Sequence, residues 1–131
     1  MNQNKLAQYA KTQRMASSPR EIEAEALTLA ANKLIYCRDN WDAEERNTLL
    51  DEALKFNQRL WSIFQANLVS KENLLPKSVK LNILKLSAVV DNNIFQIKAY
   101  PSPERLTSII EINLSLAEGL RKKPDPAGTK R

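Results

Sequence analysis

At 131 residues, 43% apolar and 27% charged, the chain suits one globular domain and lies outside the composition of disordered proteins. Two glycines, Gly119 and Gly128, are too few for the positive-φ turns of hairpin-rich β folds. No apolar run approaches the ~20 residues of a membrane span. The net charge of +5 sits on the ends: residues 1–20 carry four basic and no acidic side chains, residues 121–131 a net +4, and residues 21–120 a net −3. That distribution argues against a folded basic groove for nucleic acid. The polar start and the single Cys37 lead to the expectation of a cytosolic protein without disulfides.

In chain order, residues 1–16 form a polar segment with scattered apolar positions (Leu6, Tyr9, Ala10, Met15), expected as a short helix or a mobile arm. Ser18, Pro19 and Glu21 give an N-cap, a first-turn proline and a capping box. The helix they open is predicted to run to about Arg38, with Leu27, Ala30, Ala31, Leu34 and Cys37 on one face. Asp42 followed by Glu45 reads as the next capping signal. The second helix then runs to about Leu68. Leu50, Ala53, Leu54, Leu60, Trp61, Phe64 and Leu68 share its apolar face, Asn57 lies near the centre of that face, and Leu49, Phe56 and Ile63 lie towards its flank.

Pro76 opens a third helix reaching Ala99. It carries two apolar stripes about 180° apart. Val79, Ile83, Leu86, Val90, Ile94 and Ile97 form the first, and Leu81, Leu84, Ala88 and Phe95 the second. Lys80, Ser87, Asp91 and Lys98 separate them on one side. Such a helix is either sandwiched by the chain itself, the N-terminal segment included, or covered by a partner. Ser102-Pro103 starts a fourth helix that ends near residues 120–122, with Leu106, Ile109, Ile110, Leu116, Ala117 and Leu120 on its apolar face and Asn113 at the centre. From residue 123 the chain reads as a disordered basic tail. The predicted architecture is all-α: an antiparallel bundle of four main helices over residues 17–122, plus the short N-terminal helical segment.

Enzyme chemistry is poorly supplied. The chain has no histidine, no glycine-rich phosphate loop and one cysteine on an apolar face. Asp39, Asp42, Glu44 and Glu45 lack the spacing of a calcium loop and read as capping and solvated residues. No metal, cofactor or catalytic residue is therefore expected. Asn57 and Asn113 are more informative. A buried amide is costly unless bonded, so the two are predicted to bond to each other or to nearby backbone and to fix helix register.

The order and spacing of several landmarks resemble the FlaF family of flagellated bacteria. They are Tyr9, then Ser18-Pro19-Arg20-Glu21 with Glu23, Ala24 and Ala26, and then Phe56-Asn57-Gln58-Arg59-Leu60-Trp61 with Phe64. Leu75-Pro76, Asn82-Ile83, Pro103 to Leu106, Ile112-Asn113 and Gly119-Leu120-Arg121 complete the set. The resemblance implies a cytoplasmic, non-enzymatic factor needed for flagellin synthesis or secretion. It implies flagellin as partner, and a second factor that represses flagellin translation through the message leader.

Flagellin's terminal segments are amphipathic helices whose apolar faces need cover before export, and a bundle with a spare stripe can supply it. The expected contact is Leu81, Leu84, Ala88 and Phe95, rimmed by Lys80, Lys85 and Lys98. The alternatives are a post-transcriptional regulator touching the message through its basic ends, or an adaptor that binds only the partner regulator.

Overall fold

The structure, a computed structural model, describes residues 19–122. The expectations for the N-terminal segment, the Ser18 cap and the basic tail lie outside the described residues. Four α-helices and one 3₁₀ turn follow in order: α1 Pro19–Asp39, α2 Arg46–Leu68, α3 Lys77–Ala99, the 3₁₀ turn Pro103–Leu106 and α4 Thr107–Arg121. No strand occurs among the described residues. Short connections between long helices force antiparallel neighbours. At the seam between α1 and α4, Arg121 at the end of α4 donates to Thr28 Oγ1, near the middle of α1, at 3.0 Å.

The bundle is not evenly tied. α1 packs along α4 and α2, whereas α3 leans mainly on α2 and meets α4 more sparsely. Small residues explain the tight seams: Ala24, Ala30 and Ala31 on α1 and Ala117 on α4 are fully buried and let backbones approach. Leu27, Leu34, Leu54, Ile97, Leu106 and Ile109 fill the space between them. Each such burial contributes about 1.5–3 kcal/mol.

Two local expectations are corrected. α2 begins at Arg46, and its N-cap Glu45 makes no side-chain cap, so Asp42 and Glu45 form no capping box. The 3.0 Å bonds from the Ala43 amide to the Asn40 carbonyl and from the Arg46 amide to the Ala43 carbonyl close tight turns there instead. Arg46 lays its guanidinium 4.3 Å from the Trp41 ring centre, anchoring this loop by cation–π contact.

The docked face of α3 is also centred differently from the first predicted stripe. Ile83, Ser87, Val90, Ile94 and Ile97 are buried, and Ser87 accepts a hydrogen bond from Gln65 of α2. Val79 is exposed because it falls in the first turn, at the rim of the bundle. Pro76 occupies the N-cap position of α3, one residue before the helix proper.

One half-buried carboxylate is penalised by the fold. Burial raises the pKa of Glu23, and the nearby Arg20 charge only partly offsets that. A carboxylate with a raised folded pKa holds more protons folded than unfolded, so its contribution to stability falls as pH rises from the ordinary glutamate range through the raised value. Glu23→Gln should therefore raise the thermal midpoint at neutral pH relative to the parent, by a margin that shrinks as pH falls into the ordinary glutamate range. Thermal unfolding at four pH values checks this, and a margin independent of pH would refute it.

Candidate functional site

The centre of the bundle is occupied by a buried polar network. The Trp61 indole N–H, a donor only, points at Asn113 Oδ1 at 3.0 Å. That fixes the Asn113 amide, whose NH₂ donates to Asn57 Oδ1 at 2.6 Å. The Asn57 NH₂ in turn donates to two carbonyls, Ala30 at 3.2 Å and Ala53 at 2.8 Å. Both amides are fully buried, as is Trp61, which meets Phe64 edge-on with ring centres 5.5 Å apart. The pairing expected from the sequence is present, and it ties α1, α2 and α4 in one register. With both amides and the indole bonded to one another and fully buried, the network is structural.

Among the described residues, groups that could do chemistry are not brought together. Cys37 is buried, and burial pushes its thiol up despite the opposing Arg46 charge, so it is no nucleophile. Among the described residues no group of three acidic or cysteine side chains could hold a metal ion. No helix among them is long and apolar enough to cross a membrane.

What the surface does offer is apolar. The second stripe of α3 faces out: Phe95 is 68% exposed and Leu81 48%, with Ala88 exposed between them. Leu84 differs, since it is half-buried and packs against the core. Lys85 and Lys98 flank the row and are exposed. Lys80 is tied down instead, donating at 2.8 Å to the Asn73 carbonyl in the α2–α3 loop. The row is thus Leu81, Ala88 and Phe95, seven residues apart, and among the described residues no segment covers it.

A second apolar surface was not foreseen. Ile22, Leu29 and Tyr36 of α1 are exposed. Leu29 and Tyr36 share a cavity with Leu49 of α2, whose row Leu49, Phe56 and Ile63 the sequence placed only on the flank of the core. The missed signal is their seven-residue spacing on both helices, which stands out only once the two are known to be neighbours.

The Phe56 to Trp61 stretch that carried the resemblance divides between the two environments. Asn57 and Trp61 build the core network, whereas Phe56 and Leu60 are half-buried at the surface and Arg59 is exposed. Set against known families, residues 5–120 match the profile of the one described as flagellar protein FlaF. No curated protein and no solved structure gives a significant match.

Proposed function

Since the chain belongs to the FlaF family of flagellar proteins, we propose that it promotes flagellin production as a cytoplasmic binding protein that covers amphipathic flagellin helices. The outer face of α3 is the proposed contact. What supports this reading is the solvent-facing row of Leu81, Ala88 and Phe95 with Lys85 and Lys98 beside it. A row of exposed apolar side chains on one helix face offers area that a partner helix can bury, with Phe95 at 68% exposure its largest member. The lysines would mainly raise the association rate and its salt sensitivity. Acting on flagellin this way, the protein needs no catalytic group.

The test is the double variant Leu81→Asp with Phe95→Asp, both at exposed positions, so that helicity and thermal midpoint should change little. Leu84 is left alone because a charge there would disturb the core. Purified variant and flagellin should associate at least about tenfold more weakly than the parent pair, a loss of about 1.4 kcal/mol. A folded double variant with undiminished affinity would rule this surface out. If the parent binds a translational regulator but never flagellin, the adaptor role replaces the chaperone role.

A further inference from the structure

The outward faces of α1 and α2 carry apolar side chains outside the α3 contact, of which Leu49 also packs against the core. On α1 they are Ile22, Leu29 and Tyr36, and on α2 Leu49, Phe56 and Ile63, each row stepping by seven residues. The 3.2 Å bond from Asn57 to the Ala30 carbonyl sets the register of the pair. Counting outward from it along antiparallel helices brings Leu29 within two residues of the level of Phe56, Tyr36 of Leu49, and Ile22 of Ile63. Two adjoining cavities lie here, one at the seam and one along α2 alone. One of about 250 Å³ takes in Leu29, Tyr36 and Leu49; the other, about 340 Å³, takes in Phe56, Leu60 and Ile63. Glu52 is shared between them.

Geometry and charge together specify the occupant. Seven-residue steps are what one α-helix presents to another, and two such steps span about 21 Å. Flanking rows on two helices leave a groove between them, which buries a guest helix on two sides rather than one. The charged residues lining the cavities are Lys33, Lys55 and Arg59 against Glu52, and Lys55 is paired with Asp51 at 3.2 Å, which leaves a net excess of one positive charge. Lys33 reaches across from α1 to hold its ammonium 5.1 Å from the Phe56 ring centre, presenting a cation within the groove. We propose that the α1/α2 groove docks one amphipathic α-helix of a partner protein, some 14–15 residues long, whose apolar stripe is flanked by Asp and Glu.

The same charge argues against other occupants. A second copy would set one basic groove against another. The chain's own first 20 residues carry four basic side chains and no acidic one. The groove is also separate from the flagellin contact proposed above. Gln65, which holds α3, is nine residues from Phe56 and therefore on the opposite side of α2.

The probe is a fluorescent 18-residue amphipathic helical peptide with Leu on its apolar stripe and Glu on both flanks, compared with the same peptide carrying Lys flanks. Added to the full-length chain, the Glu peptide should bind at least about tenfold more tightly than the Lys peptide, with salt weakening it. Leu29→Asp with Ile63→Asp should cost at least about tenfold in binding, while Leu81→Asp with Phe95→Asp should leave it intact. If the first pair unfolds the chain, Lys55→Glu with Arg59→Glu, both at exposed sites, should invert the peptide preference. Equal binding of the two peptides, no binding, or loss only with the α3 variant would overturn the proposal. So would sedimentation showing a dimer that the groove variants abolish. The flagellin measurement reads the α3 variant alone, so the two proposals fail independently.

Discussion

Trp61→Ala should be the most damaging single change in the molecule, at a cost of about 3–5 kcal/mol. Trp61 is fully buried at the centre of α2, edge-on to Phe64, and donates to Asn113. Truncation removes the largest buried side chain, leaves a cavity and deprives the amide network of a donor at one end. A domain of this size has only about 5–15 kcal/mol in total. At about 4–8 °C per kcal/mol the midpoint should fall by roughly 15 °C or more. Trp61→Phe should recover much of the packing but not the hydrogen bond, and so fall between the two. Denaturant titration followed by circular dichroism measures all three. A Trp61→Ala protein as stable as the parent would mean that the bundle centre is not packed as described.

Asn113→Leu should cost about 2–4 kcal/mol although it replaces a polar group in the core by an apolar one of similar size. Polar-to-apolar changes in a core are favourable only when every partner of the lost group is also satisfied. Here the Trp61 indole N–H and Asn57 Oδ1 would both be left buried without partners. The double variant Asn57→Leu with Asn113→Leu removes one of those orphans, and adding Trp61→Phe removes the other. Stability should therefore partly recover along the series, with the double change costing less than the sum of its parts. Strict additivity in denaturant midpoints would show that the amides act separately, contrary to their 2.6 Å contact.

Much of this was legible in the residues. The apolar faces of α2 and α4 are settled by periodicity, since Leu50, Ala53, Leu54, Trp61, Phe64 and Leu68 recur at helical steps, as do Ile109, Ile110 and Ala117. Asn57 and Asn113 at the centres of those faces had to find partners once buried, and each other's amide was the available one. The start of α2 was misread because a capping box describes an alternative local geometry, and the turns from Asn40 to Arg46 satisfy the same backbone amides.

The sequence by itself determined an all-helical chain. Scarce glycine, Ser-Pro starts and helical apolar spacing leave no other way to bury so many leucines. It also determined that no histidine-dependent chemistry operates here. Tertiary structure alone decided which side of α3 docks, moved Ser87 into the interface and Val79 out of it, and set Leu29 and Tyr36 beside Leu49. The reason is geometric. Spacing along a helix gives each side chain its angle about that helix's own axis, but it does not say which neighbour, or none, lies at that angle.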